Sequence, residues 1–470
     1  MEKEVQQLSE RILKKITPKK EEYAKIEGLS RELEQKITAA SQQEGVPAIV
    51  RVEGSVAKDT WLSENPDIDI FMRLPTSIPR KNLGDIGLKI AKKAAGNAKQ
   101  LERFAEHPYL QIFVDGYRVD IVPCYDAKPG EWQSATDRTP YHTDYIRGHF
   151  SKEMRGEVRL LKKFMNGIHV YGAEIRVGGF SGYLCELLIM KYGSFAGTIQ
   201  AFAHYNRSIV IDLEGRENEL RLLFSEPLVI VDPVDKGRNV ASAVQPQKLY
   251  PFIGAARAFL KKPAEDFFYP PEPATLSAVA LRHQLGESGS AVVFLAIGEL
   301  NAVPDVLWGQ LYRTKRSLRT LLETNDFKVL KDEVWSNEKS QSIFIIELEQ
   351  QVLPNIKKHL GPPLELETEC KKYLAKYGDS GMVISGPYIE DGRWIVELPR
   401  KITDAQVLLK EKLADGGKKG GVADLIAKAM QKNLKVVVND EVLEVYEQNK
   451  DFAAFLTDFL IGKPFWLKNQ

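Results

Sequence analysis

The sequence predicts a multidomain α+β protein, and three observations lead there. At 470 residues the chain exceeds what one hydrophobic core supports, so roughly three or four domains are expected. Apolar residues recur at helical spacing in some stretches and at strand spacing in others. Both patterns occur before residue 150 and again after a proline-rich segment at 268–274.

The first forty residues read as two amphipathic helices broken near Pro18, with Val5, Leu8, Ile12 and Ile16 on one stripe and Leu29, Leu33 and Ile37 on the next. A short strand, Ala48 to Val52, runs into Gly54-Ser55. Asp67 to Leu74 reads as a second strand and Asn82 to Ala95 as a helix. Tyr109 to Val114 and Tyr117 to Val122 form a hairpin whose two-residue turn is Asp115-Gly116. This mixed unit, 1–150, is followed by a mainly helical one, 151–265. Its helices are expected at Glu157 to Met165, Ser181 to Tyr192 and Leu249 to Leu260, with an apolar strand at Leu228 to Val231. Three prolines between Phe268 and Ala274 mark a linker. Beyond it, 275–470 carries a buried strand at Ala291 to Ile297 and a helix to Thr324 after Pro304. Strands at Gln341 to Glu347 and Trp394 to Leu398 and a helix from Val442 to Phe459 complete it. Gly416-Gly-Lys-Lys-Gly-Gly421 reads as a mobile, basic loop.

Bulk composition narrows the function classes. Hydrophobic residues make up 43% and charged residues 27%, which excludes a disordered or fibrous chain. A formal net charge of +1 means that a nucleic-acid partner would be held by local basic patches. Cys124, Cys185 and Cys370 are odd in number and far apart, which fits neither a disulfide framework nor a zinc site. The charged N-terminus has no apolar signal core, and the longest apolar run, Ala291 to Ile297, is far short of the ~20 residues needed to span a bilayer. A cytoplasmic protein with no membrane partner is expected.

The chemistry concentrates at Gly54-Ser55, followed by Asp67-Ile68-Asp69 and later by Asp120. Residues i and i+2 of a strand share a face, so Asp67 and Asp69 present their carboxylates together. Asp120 sits in the apolar strand Arg118-Val-Asp-Ile-Val122, where an acid needs a reason to be present. A lone Asp-x-Asp is common on exposed strand faces; the upstream Gly-Ser and the third acid make this one a metal site. Convergent carboxylates repel unless cations lie between them, and two Mg²⁺ ions are the expected solution. Gly54 lets a phosphate approach the backbone, and Ser55 with a helix N-terminus offers donors to it.

Gly54-Ser-Val-Ala-Lys-Asp-Thr-Trp-Leu62 followed by Asp67-Ile-Asp-Ile-Phe71 resembles the signature of the polymerase-beta-like nucleotidyltransferases. Asp137-Arg-Thr-Pro-Tyr-His142, Val170-Tyr-Gly-Ala-Glu174, Gly179-Phe-Ser-Gly-Tyr-Leu-Cys-Glu186 and Asp232-Pro-Val-Asp235 with Arg238-Asn-Val-Ala241 resemble one branch, the archaeal class I CCA-adding enzymes. The resemblance spans the whole chain and is dense to about residue 260. It implies a catalytic head (1–150), a helical neck that binds the nucleotide base (151–265) and a C-terminal α/β body and tail that bind tRNA (275–470).

Position by position, the resemblance makes Asp67, Asp69 and Asp120 the metal ligands and catalytic residues. Ser55 and Lys58 become contacts to the triphosphate; the family usually has arginine at Lys58, and lysine keeps the charge but loses the bidentate fork. Thr139, His142, Lys162 and Tyr171 match residues that bind the incoming nucleotide, and Arg238 matches the arginine that reads the base edge. Read by themselves, these residues have plainer alternatives. Lys162 reads as a solvated charge beside Lys163, His142 as a cap for a helix beginning near Asp144, Tyr171 as a half-buried aromatic, and Arg238 as a partner for a nearby carboxylate.

Later basic residues suit an RNA backbone. Arg313, Lys315, Arg316 and Arg319 cluster in one helix with Trp308 and Tyr312 interleaved, and Lys418 and Lys419 lie in the glycine loop. The resemblance implies non-templated addition of C, C and A to tRNA 3′ ends from CTP and ATP, with Mg²⁺ as cofactor and the tRNA acceptor arm as partner. A poly(A) polymerase or an oligoadenylate synthetase on the same head, or a noncatalytic RNA-binding protein that kept the fold, are the alternatives. The oligomeric state is left open, a homodimer included.

Overall fold

A computed structural model describes residues 2–64, 66–104, 106–205, 209–215 and 226–467. The chain divides into two compact units, Met1–Glu272 with Lys463–Gln470, and Pro273–Gly462. The boundary falls inside the proline-rich segment, although Phe268 at its start is buried in the core of the first unit.

The first unit has two large cores, besides a small cluster of Val210, Val229 and Val231. Helices α1 (Glu2–Ile16) and α2 (Lys20–Gln43) flank Pro18 as expected, but they serve different cores. Val5, Leu8, Ile12 and Ile16 of α1 bury among neck helices, whereas Ile26, Leu29, Leu33 and Ile37 of α2 cover a sheet. That sheet comprises β1 (Ile49–Glu53), β2 (Asp67–Leu74), β3 (Lys99–Phe104), β4 (Pro108–Val114) and β5 (Tyr117–Tyr125), with helices α3 (Gly54–Lys58) and α4 (Arg80–Ala95) between them. Its order is β1-β2-β5-β4-β3; β2 and β5 run parallel and the other neighbours antiparallel. At the β4–β5 turn Asp115 and Gly116 both take positive φ, 51° and 84°, the geometry of a type I′ hairpin. The edge strand β3 was not expected. Lys-Gln-Leu-Glu-Arg-Phe lacks an apolar face, which is how a sheet edge discourages pairing with other chains.

The neck consists of α5 (Thr139–His149), α6 (Lys152–Gly167), α7 (Gly182–Tyr192), α8 (Phe195–Ala203) and α9 (Pro246–Lys261), with a short parallel pair, β6 (Ile209–Ile211) and β7 (Leu228–Ile230). Its centre is Phe164, fully buried, whose ring lies 5.3–6.3 Å from those of Phe195, Phe252, Phe259, Phe267 and Phe268.

The second unit is an antiparallel sheet with helices on both faces, plus a smaller sheet. In chain order its elements are α10 (Ala278–Glu287), β8 (Ala291–Ile297), α11 (Pro304–Thr324), β9 (Val329–Ser336), β10 (Ser342–Leu348), β11 (Ile356–Pro363), α12 (Glu367–Tyr377), β12 (Ser385–Glu390), β13 (Arg393–Pro399), α13 (Ala405–Leu413), α14 (Asp424–Asn433), β14 (Leu434–Val438), α15 (Leu443–Gln448) and α16 (Lys450–Ile461). The larger sheet runs β14-β8-β10-β9. Val293, Leu295 and Ile297 of β8 face one core while Val292 and Phe294 face the other, so its sequence is apolar throughout.

Two expectations change here. The helix expected from Val442 to Phe459 is broken at Asn449, whose side chain accepts from the Phe452 amide and starts α16 afresh. The glycine segment 416–421 is folded rather than loose. Gly417 and Gly421 take positive φ around a single 3₁₀ turn, and the Gly421 carbonyl accepts the Ser317 hydroxyl of α11 at 2.9 Å. Among the described residues, no helix is long and apolar enough to cross a membrane.

Phe164→Ala should cost roughly 3–5 kcal/mol, since five aromatic neighbours cannot all collapse into the space left. Denaturant unfolding followed by circular dichroism checks this; an unchanged midpoint would show that the phenyl cluster does not organise the neck.

Candidate active site

Strand β2, Asp-Ile-Asp-Ile-Phe-Met-Arg-Leu, alternates strictly. Ile68, Ile70, Met72 and Leu74 enter the sheet core, which puts Asp67 and Asp69 on the opposite face. The parallel register sets Asp69 beside Asp120 and Asp67 beside Arg118, and the antiparallel pairing with β1 sets Glu53 on the other side of Asp69. Four acids thus meet on one sheet face.

Each is held differently. Arg118 donates from Nη2 to Asp67 Oδ2 at 2.5 Å, and its Nε lies 3.9 Å from Asp120 Oδ2. Gln111, fixed by Arg103, donates to Asp120 Oδ1 at 2.8 Å. Buried Glu53 pairs with Arg51 at 2.5 Å. Asp69 is left with the strongest conflict: burial, then the charges of Asp120 and Asp67, push its pKa up to about 7. Burial raises Asp67 and Asp120 as well.

Gly54 closes over this group. Its φ is +64°, and a Cβ there would lie 2.0 Å from Asp69 Oδ2, so no side chain fits. Ser55 follows in the first turn of α3. Among the described residues, no three His, Cys, Asp or Glu form a ready-made metal cage; Asp67 is held by Arg118 and Asp120 by Gln111. Three crowded oxygen-donor carboxylates, one of them with its pKa raised to about 7, are nevertheless the donor set that suits a hard divalent cation.

A second cluster centres on Glu186 of α7, which the sequence reading did not single out. It accepts from Lys58 Nζ at 2.6 Å and from the Thr60 hydroxyl at 2.7 Å, and lies 3.7 Å from Lys162 Nζ. Lys162 also donates to the Thr60 carbonyl at 3.1 Å. Burial pushes Glu186 up, but Lys58 and Lys162 overcome it and hold the carboxyl below its ordinary range. Both lysines are buried, so Lys162 is not a solvated charge beside Lys163; Lys163 instead pairs with Glu64 at 2.5 Å. Tyr171 belongs here too. A Cβ on Gly182 would sit 3.1 Å from Tyr171 Oη and 3.3 Å from Lys162 Nζ, so the two groups converge at the start of α7.

Asp232 anchors the third cluster. It accepts from His142 Nε2 and Arg238 Nη1, both at 2.8 Å, and from Tyr183 Oη at 3.1 Å. The His142 and Tyr183 rings stack with centroids 4.0 Å apart. Helix α5 begins at Thr139, so His142, its fourth residue, lies inside the helix and is not its cap. Thr139 itself is half-buried at the first helical position. Tyr183 joins this cluster to the previous one, with Lys58 Nζ 5.4 Å from its ring centroid.

The comparisons with known proteins cover the same ground. Residues 33–142 match the nucleotidyltransferase domain, 156–269 the second domain of tRNA nucleotidyltransferase, and 288–439 the C-terminal domain of the CCA-adding enzyme. The CCA-adding enzyme of Methanosarcina mazei is 38% identical over 95% of this chain and 96% of its own. Those of Methanothermobacter thermautotrophicus and Halobacterium salinarum are 35% and 34% identical, over 96% and 95% of this chain and 97% of each of theirs. The chain belongs to the CCA-adding enzymes. It is a tRNA nucleotidyltransferase of the archaeal, class I branch, with a polymerase-beta-like head. A solved cytoplasmic RNA terminal U-transferase aligns with 57% of the chain at 14% identity and a TM-score of 0.45, too loosely to bear on function.

The basic residues expected to meet RNA lie in the second unit and are not equivalent. Arg313, Arg316 and Lys419 are exposed. Arg319 is spent internally on Asp332, on Glu323 at 2.9 Å and on the Val329 carbonyl, and Lys418 pairs with Asp424 at 2.7 Å. Arg319 therefore braces α11 against β9.

Glu53 was not singled out at all, although it directly precedes Gly54; Tyr183, Glu186 and Asp232 stand in the strings that carry the resemblance but were given no role there.

If Asp69 acts in the reaction, Gly54→Ala should reduce nucleotide incorporation by at least about 10²-fold, because the alanine side chain would displace Asp69 by about an ångström. Steady-state incorporation, with circular dichroism to confirm the fold, is the check. Near-normal turnover would mean that Asp69 tolerates movement and is not in the reacting shell.

Proposed function

We propose that this enzyme adds C, C and A to the 3′ end of tRNA from CTP and ATP, without a nucleic-acid template. The observation that carries the reading is the sheet face on which Asp69 lies beside Asp120 and next to Asp67, under the Gly54 turn. Asp67, Asp69 and Asp120 are assigned as the holders of Mg²⁺. When bound, the metal would supply positive charge for the triphosphate and ease loss of the hydroxyl proton. In the reaction the tRNA 3′ hydroxyl oxygen would bond to the α-phosphorus as the phosphorus–oxygen bond to pyrophosphate breaks, its proton passing to solvent.

The chain's own residues do the placing. Ser55 and the α3 backbone are assigned to the phosphates, since the missing Gly54 side chain lets an oxygen approach. Lys58, Lys162 and Tyr171 converge around Glu186 as a preset positive lining whose orientation is fixed before substrate arrives. Thr139, His142 and Arg238 are assigned to the nucleoside end. Arginine donors suit cytosine O2/N3 and adenine N1, while uracil N3 and guanine N1 present a proton instead. Leaving such a donor unpaired once a bound base covers it would cost about 1–3 kcal/mol, enough for roughly ten- to a hundredfold discrimination. Arg313, Arg316 and Lys419 are assigned to phosphates of the acceptor arm.

Asp67→Ala, Asp69→Ala and Asp120→Ala should each abolish incorporation of radiolabelled CTP or ATP into tRNA lacking its 3′ end, while tRNA binding survives. Near-normal turnover in any one would remove that residue from the metal site. ATP-only extension of unstructured RNA by the native enzyme would instead identify a poly(A) polymerase.

Binding of tRNA should weaken with salt, and the double variant Arg313→Ala/Arg316→Ala should shallow the slope of log K against log salt by about two. Arg319→Ala should lower thermal stability first, because it uncovers Asp332. An unchanged slope in the double variant would move the RNA-binding face elsewhere.

A further inference from the structure

The segment after β7 is tied down more than its length requires. The Asp232 amide donates to the Arg238 carbonyl at 3.0 Å, the Arg238 amide to the Asp235 carbonyl at 2.9 Å, and the Val234 amide to Asp232 Oδ1 at 3.0 Å. These bonds close residues 232–238 into a ring. Two side chains from the neighbourhood of α5 then grip it: Arg138 Nε donates to Asp235 Oδ2 at 2.6 Å, and His142 Nε2 meets Asp232 at 2.8 Å. Ring and helix are stitched together at two points.

Asp232 carries the greater load. Its side chain has no exposed surface, yet it serves His142, Arg238, Tyr183 and its own backbone turn. Burial works against the carboxylate, but the hydrogen bonds from His142, the Val234 amide and Arg238 bring its pKa down to about 2. It is therefore a permanent buried anion. Arg238 differs from the other partners in that 38% of its side chain stays exposed. The bond to Asp232 uses Nη1. An arginine has several soft torsions, and holding one corner of the guanidinium restricts where the remaining donors can point.

We propose that Asp232 is a specificity-determining positioning residue: it holds the guanidinium of Arg238 and the ring of His142 on one buried carboxylate, so that nucleotide selection depends on a residue that need not touch the nucleotide. The inference rests on the assignment of Arg238 to the base edge. It deepens that reading by locating the source of Arg238's fixed geometry, and it explains why His142 and Arg238, far apart in sequence, act on the same substrate. A loosened Arg238 would still offer donors to every base. It would lose preference more than turnover, because a mobile donor can shift to meet a carbonyl as readily as a ring nitrogen.

The test is a double-mutant cycle read as kcat/KM for CTP, ATP, UTP and GTP, using the full-length enzyme and tRNA lacking its 3′ end. Asp232→Asn keeps the side-chain shape and removes the charge. It should lower the preference for CTP and ATP over UTP and GTP by about tenfold, with the change mainly in KM. Arg238→Ala should lower the same preference, and adding Asp232→Asn to it should change the preference no further. Tyr183→Phe removes only one hydroxyl from Asp232 and should give a smaller loss in the same direction; it carries the test if Asp232→Asn fails to fold. If Arg238→Ala alters the preference while Asp232→Asn, or Tyr183→Phe in its place, lowers all four nucleotides equally, Asp232 is only structural and the proposal is overturned. If Arg238→Ala itself leaves the preference unchanged, the base-edge assignment fails and the proposal falls with it.

Discussion

Like charges crowded onto one face of a sheet are the constraint from which the rest of this site follows. In a parallel pair the register, once set, decides which side chains stand side by side, and here it sets Asp69 against Asp120. Sliding one strand by a single residue would send the acids into the core and Ile68 and Ile70 out to solvent. The apolar half of the same strands therefore holds the carboxylates together against their repulsion. Fold stability and site geometry are one arrangement read from two faces.

Containment of that charge accounts for much of what surrounds it. Arg118 and Gln111 sit on the outer acids, Arg51 on Glu53, and Gly54 gives up its side chain so that the backbone can close over Asp69. Farther out, Glu186 and Asp232 repeat the device with the signs reversed, each a buried anion collecting cationic and donor groups. A buried charge pair is not in itself a source of stability. Its use here is geometric, since groups fixed before substrate arrives need no reorganisation when charge develops.

Those features that rest on local pattern were legible in the sequence. The alternation of β2, the Asp115-Gly116 hairpin, the paired amphipathic helices and the three carboxylates could all be read without a structure. The features that were not legible depend on partners distant in sequence. Asp232 and His142 are ninety residues apart, and Lys58 and Glu186 are 128 apart, so no window along the chain shows either pair. The partner of Arg319 was hidden for the same reason: on a helical wheel it shares a face with other basic residues, and only the fold shows Asp332 of the neighbouring strand beside it. The break at Asn449 was hidden because the apolar periodicity runs straight through it, and only the cap reveals it.

The lysine at position 58 finds an explanation in the same terms. Where the resemblance leads one to expect an arginine reaching for phosphate, this chain has a side chain whose ammonium is 2.6 Å from a buried carboxylate. A guanidinium would present a planar fork with five donors, more than Glu186 can satisfy once Thr60 and Lys162 are also on it. An ammonium is compact enough to share that carboxylate with a second lysine. The cost is that Lys58 cannot grip a phosphate bidentately, and the positive charge it offers is instead held in common with Lys162. Under the proposed assignment, phosphate binding would belong to the Glu186 cluster rather than to any one cation, and a lysine at position 58 suits its surroundings.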